Sequence, residues 1–248
     1  MPNITFIGTI LQPIKISVEN PYKIEWDDSE SNLKMEFKIK IKDSKIEISC
    51  ETNYWHDNAI NVIYMRAHDI CKAYINLIGF QQGHGLPFVL HTFVDHMGKN
   101  TLIKFSNPTL SNLCTAYDLS NNFDFLLKLS LNELNIAWAL NELLEAITLP
   151  HISLVNCTRA IERLKHLISN NEKDDKKAWG KFREILKIDE DYLKYITDLS
   201  RNSRHGRNER VSGDTTTEVT KRAWKIMNRY LEYKIAGDTL SSSTPKLE

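Results

Sequence analysis

Leu33-Lys34-Met35-Glu36-Phe37-Lys38-Ile39-Lys40-Ile41-Lys42 alternates five apolar residues with five charged ones. Strand side chains point to opposite faces in turn, so this segment makes a strand with one apolar and one fully charged face. Such a strand fits an antiparallel sheet with a core on one side and water on the other. Asp43-Ser44 turns the chain, and Ile46, Ile48 and Cys50 resume the alternation, which predicts a hairpin. Toward the N-terminus, strands are predicted over 4–10, 14–18 and 22–26, punctuated by Pro13 and Pro21.

From about Asn58 the period changes. Ile63, Ala67, Ile70, Tyr74 and Leu77 recur at three- and four-residue steps, a helix face that Gly79 and the 83–85 region end. Strands over 87–93 and 101–105 follow, joined by a turn at Gly98-Lys99-Asn100. The first 125 residues therefore read as an α+β unit, an antiparallel β-rich domain with one helix on its face.

The rest reads as an all-α helical bundle over 126–237. Ser130-Leu131-Asn132-Glu133 and Thr215-Thr216-Thr217-Glu218 have the capping-box pattern of helix starts. Inward faces are predicted at Leu134, Trp138, Leu144 and Ile147, then at Leu154, Ile161, Leu164 and Ile168. Further ones are Trp179, Phe182, Ile185 and Leu186; Tyr192, Leu193, Ile196 and Leu199, behind an Asp189 cap; and Val219, Ala223, Ile226, Met227 and Tyr230. Trp138, Trp179 and Trp224 read as bundle core. The Ser/Thr-rich segment 238–248 reads as a disordered tail, with Leu247-Glu248 set aside as a cloning remnant.

Composition narrows the function classes. Thirty-two basic residues balance 32 acidic ones, so the whole molecule does not steer nucleic acid or membranes toward itself. No apolar run approaches the ~20 residues of a membrane span, and no signal peptide is legible, so a cytoplasmic location is expected. Cys50, Cys71, Cys114 and Cys157 stand far apart and read as buried reduced thiols. There is no Walker loop, dinucleotide fingerprint, G-x-S-x-G elbow or H-E-x-x-H, and no cofactor is expected.

The chemistry concentrates in Ser200-Arg201-Asn202-Ser203-Arg204-His205-Gly206-Arg207, read as a loop between two helices. Arg210 adds a fourth arginine against one acid, Glu209. Arginine presents a planar fork to phosphate oxygens, and histidine exchanges a proton near neutral pH. Together they can activate a hydroxyl and stabilise a charged phosphorane without a metal.

A helical bundle with Arg-Asn-x-x-His late in the domain, followed by a long terminal helix, resembles the HEPN superfamily of prokaryotic defence and toxin proteins. The resemblance covers residues 130–235. It implies a metal-independent endoribonuclease or RNA-binding homodimer whose Arg and His meet across the dimer, where an RNA 2′-hydroxyl attacks the adjacent phosphate. On that resemblance Arg201, Asn202 and His205 are the catalytic set. His205 is the general acid and base, Arg201 contacts the scissile phosphate, and Asn202 orients them. Arg204, Arg207 and Arg210 bind phosphates. The interval from Arg201 to His205 is shorter than the family's usual one, which turns the histidine by about 100° on a helix.

Two other readings stand beside this one. In the first, the protein is a non-catalytic scaffold whose basic loop binds a partner or nucleic acid, with a protein partner on the N-terminal domain. In the second, the arginines cap helix C-termini or pair with Asp198 and Asp214. Lesser candidates are a metal group of His84, His91, Asp95 and His96, and an aromatic platform at Tyr54-Trp55-His56. Packing of the sheet on its helix explains the platform as well.

Overall fold

A computed structural model describes residues 1–12, 17, 23–29, 31–56, 59–104, 108–149, 152–170, 172–204 and 211–248, with backbone only at 108 and 202–204. The chain is α+β and divides into two compact units, Met1–Lys104 and Phe105–Glu248. The division falls ahead of the expected boundary at 125, because residues 115–116 are bonded into the helical unit. Asn228 Oδ1 accepts from the amides of Thr115 and Ala116 at 2.8 and 2.9 Å.

The first unit is a six-stranded antiparallel sheet in the order β2-β3-β4-β1-β5-β6. Its strands are β1 (Asn3–Ile10), β2 (Lys23–Asp28), β3 (Leu33–Lys42), β4 (Lys45–Thr52), β5 (Phe88–Val94) and β6 (Asn100–Leu102). β3 has the predicted bounds, and Leu33, Met35, Phe37, Ile39 and Ile41 are all buried. Asp43 and Ser44 both take positive φ, 50° and 63°, as a two-residue hairpin loop requires. On the wet face Lys38 lies 3.5 Å from both Glu36 and Glu51.

Helix α1 (Ala59–Gln82) covers the apolar face over β3 and β4. Its buried stripe runs Ile63, Ala67, Cys71, Ile75, Gly79, in steps of four. Leu77, expected inward, is 73% exposed. Gly79 does not end the helix. It sits inside it, where a Cβ would lie 2.5 Å from the carbonyl of His84. The strand expected over 14–18 lies largely outside the described residues, and the one expected over 101–105 is Asn100–Leu102.

The second unit holds α2 (Pro108–Ser111), α3 (Phe123–Asn132), α4 (Leu134–Thr148), α5 (Ser153–Ser169), α6 (Asp175–Leu186), α7 (Glu190–Arg204) and α8 (Gly213–Ile235). The predicted faces of α5 and α8 are buried. That of α4 is not. Ile136, Ala139, Leu143 and Ala146 face in, while Leu134, Trp138 and Leu144 are about half exposed or more. Trp179 and Trp224 pack against the core as expected.

Two caps also differ. Ser130 lies within α3, and Glu133 breaks the chain (φ −123°, ψ 89°) and caps α4 by accepting from the Asn135 amide. Ser212, three residues ahead of Thr215, caps α8 through the Thr215 amide at 3.2 Å. The tail expected to be disordered is ordered. Leu247 bridges Ile188, donating to the Lys187 carbonyl and accepting from the Asp189 amide.

Close approach of β1 and β5 at a register shift leaves no room at Gly8, whose Cβ would stand 2.4 Å from the Val89 carbonyl and 2.7 Å from Leu90 Cδ2. Gly8→Ala is therefore expected to cost about 1–3 kcal/mol in urea unfolding. Gly180→Ala, in α6 with nothing within 4 Å, should be neutral or stabilising by up to about 1 kcal/mol. Burial pushes the Cys50 and Cys71 thiols up to about 12. Because an unfolded thiol ionises near 8.5, their contribution to stability is intact below that pH and lost as pH rises above it. The urea midpoint should fall between pH 8 and 10, and the fall should shrink in Cys71→Ala.

Candidate functional site

The predicted basic cluster begins inside a helix, not in a loop. α7 continues through Arg201, Asn202 and Arg204, so their backbone positions are fixed by helix geometry. Arg201 is exposed and takes part in no ion pair among the described residues. The side chains of Asn202 and Arg204 are not described. His205, Arg207 and Arg210 lie outside the described residues. Cations in the last turn of a helix are favoured by its dipole, which accounts for arginine at 201 and 204 without invoking a ligand.

Hydroxyl groups join the first turns of α5 to α8 and to α7. Ser153 and Thr220 Oγ atoms are 3.0 Å apart, and both residues are buried. Thr220 also donates to the Thr216 carbonyl at 2.8 Å. Thr158 Oγ1 donates to the Ile196 carbonyl at 3.4 Å, and fully buried Ser200 donates to the Thr197 carbonyl at 2.9 Å. Burial pushes the Cys157 thiol in this seam up to about 11, against the opposing pull of Thr220 and Ser153, so it is no nucleophile at neutral pH. The seam thus ties the first turns of α5 to the third turn of α8 and to the second half of α7. The spacing of Ser153 with Cys157, and of Thr216 with Thr220, one helix turn apart, is the sequence signal for this seam.

On the neighbouring α7–α8 surface Arg222 is held in place. Its guanidinium stands 4.7 and 4.3 Å from the rings of Tyr192 and Tyr195, and its Nε donates to Glu218 at 2.8 Å. A second polar group joins α4 to α5. Arg163 donates to one oxygen of buried Glu142 at 3.1 and 3.2 Å and lies 4.9 Å from the Trp138 ring. The other Glu142 oxygen is buried with no partner in the described residues. Periodicity could not reveal this pair, because it places a carboxylate on the buried side of α4.

The histidine candidates do not converge into a metal site. Asp95 accepts from the Met97 and Lys99 amides at 2.9 Å and organises its own turn. His91 contacts Thr92 Oγ1 at 2.8 Å, and the His96 ring lies 5.4 Å from Trp55. No group of three or more His, Cys, Asp or Glu among the described residues could hold a metal. In the aromatic run, Trp55 packs on the sheet core, while the exposed Tyr54 and His56 rings stack on each other at 5.6 Å. Among the described residues no helix is long and apolar enough to cross a membrane.

Comparison with known proteins finds two family models. Residues 4–102 match the N-terminal domain of DUF8168, a domain of unknown function, and residues 123–235 match its C-terminal domain. No curated protein and no solved structure matches.

The hydroxyl seam and the exposed arginine should separate in mutagenesis. Thr220→Val strips buried Ser153 of its partner and is expected to cost about 1–3 kcal/mol in urea unfolding. Arg201→Ala should change stability by no more than about 0.5 kcal/mol.

Proposed function

We propose that the helical unit is a HEPN-like, metal-independent endoribonuclease, working as a homodimer in a cytoplasmic prokaryotic defence or toxin system. One observation carries the proposal. Arg201 is an exposed cation in the last turns of α7 that takes part in no ion pair among the described residues, so its guanidinium is open to an anion.

In the proposed reaction His205 takes the proton from an RNA 2′-hydroxyl. The 2′-oxygen then bonds to the adjacent phosphorus, and the bond from phosphorus to the 5′-oxygen breaks. The leaving 5′-oxygen takes a proton from protonated His205, which serves as general acid as well as base, giving a 2′,3′-cyclic phosphate and a 5′-hydroxyl. Arg201 holds the charge that builds on the phosphoryl oxygens, Asn202 orients the pair, and Arg204, Arg207 and Arg210 bind flanking phosphates. The N-terminal unit serves as the sensor or interaction domain for a protein partner.

A second reading, a non-catalytic scaffold, is favoured by an apolar surface. Phe123, Leu127 and Leu131 recur every fourth residue along α3 and are 38–69% exposed, and Leu134 and Trp138 continue the exposure on α4. Such surfaces mark interaction sites.

Purified protein incubated with 5′-labelled RNA in EDTA separates the readings. The nuclease predicts chelator-resistant cleavage to 2′,3′-cyclic ends, slowed about 10²–10⁴-fold by His205→Ala and severely by Arg201→Ala. RNA binding that weakens with salt but shows no turnover favours the scaffold. Absence of cleavage, or cleavage indifferent to His205→Ala, overturns the nuclease.

A further inference from the structure

Helix α3 is poorly covered by its own chain. Of its ten residues only Leu126 is buried. A helix this short is marginal in water and draws its stability from packing an apolar face. Yet Phe123, Phe125, Leu127 and Leu131 are exposed, Leu131 by 69%, and Leu134 and Trp138 continue the exposure on α4.

Size shows that this surface is more than scattered apolar residues. A bare aromatic side chain presents about 150–250 Å², so these six, at roughly half exposure, offer on the order of 500 Å² of apolar surface. That lies high in the range of roughly 300–600 Å² for the largest patch on a monomer. Two such patches face to face bury on the order of 1,000 Å², the size at which specific interfaces begin. The patch also has a preset anchor. The Trp138 ring lies 4.9 Å from the Arg163 guanidinium, which is itself fixed by donation to Glu142 at 3.1 and 3.2 Å and to Asn135 at 3.4 Å. A tryptophan that is already held loses little freedom on binding.

The charges beside the patch select its occupant. Asp124 and Lys128 are the only charged residues of α3, both are exposed, and neither takes part in an ion pair among the described residues. They directly follow Phe123 and Leu127, so both lie on one flank of that apolar row, about 100° round the helix. When two copies of α3 cross antiparallel about Leu127, like flanks face each other. Asp124 of one copy then stands about 3 Å along the axis from Lys128 of the other. The two-fold repeats the pair, and Phe123 meets Leu131 on either side of Leu127. The surface is thus complementary to itself, as an isologous contact requires.

We propose that α3 and the start of α4 form a two-fold, antiparallel interface with the same face of a second copy of this chain. This names the surface of the homodimer proposed above, but it is carried by α3 and α4 alone and not by the arginine cluster.

Sedimentation equilibrium of the full chain tests it. The wild type is expected to be a dimer, and Leu131→Glu should weaken it by about 100-fold or more with an unchanged far-UV circular dichroism spectrum. Asp124→Lys and Lys128→Asp should each weaken self-association about tenfold, because each leaves a flank of one sign. Mixed, these two variants should form a heterodimer tighter than either homodimer. A wild type that stays monomeric, or a dimer indifferent to Leu131→Glu, overturns the interface. Charge variants that gain nothing on mixing overturn its antiparallel register. None of these substitutions touches residues 201–210, so a chain that cleaves RNA while dimerising through another face sinks this inference and leaves the nuclease reading standing.

Discussion

Helix α5 carries Ser153, Asn156, Thr158, Lys165 and Ser169 on buried positions while packing against α4, α6, α7 and α8. A buried polar group without a partner costs about 1–3 kcal/mol, so the neighbours are constrained to supply partners. They do so one by one: α8 through Thr220, α4 through Glu145 at 3.3 Å, α7 through the Ile196 carbonyl and α6 through Asp175 at 2.5 Å. Four polar side chains thus set the register of four helices. Apolar contact alone would tolerate a one-residue slide, whereas these bonds do not. Ser169 Oγ is the exception, buried and unpartnered among the described residues.

The β unit was legible because its signal is local. Alternation along β3 determines which face is wet, and a two-residue loop transmits that register to β4. Reading α1 went astray at one turn. Leu77 looks like a continuation of the stripe, but the helix buries Cys71, Ile75 and Gly79 instead. Glycine has no apolar side chain to advertise that it is in contact, so periodicity read it as a terminator.

The helical unit was legible in its order of helices and in the faces of α5 and α8, and misread where polar residues go inward. On α4 the apolar residues run nearly all round, so hydrophobicity does not choose a face. The face that goes inward carries Ile136, Ala139 and Leu143 and takes Glu142 with it, where Arg163 of α5 meets one of its oxygens. The tail failed for a related reason. Its Ser/Thr composition lacks apolar area, and what orders it is donation from Lys187 and Arg229 to carbonyls every sequence possesses. The arginine cluster, by contrast, was visible at once, because charge density is a sequence property. Its placement in the last turn of α7 was not.

The same bonds bear on what the arginines are for. α8 is held near its N-terminal end by Thr220 and farther along by Asn228, which satisfies the Thr115 and Ala116 amides, and by Arg229. Every described pin at the α7 end is a neutral hydroxyl bond, whereas Arg163, Arg222 and Arg229 are each engaged by a carboxylate, a ring or a carbonyl. Those three arginines are thus structural residues with identifiable partners, whereas Arg159 and Arg201 are exposed and take part in no ion pair among the described residues. Arg201 stands in the last turns of α7. What the fold supplies there is the C-terminal dipole of α7, which favours a cation in the last turn and leaves its guanidinium facing water.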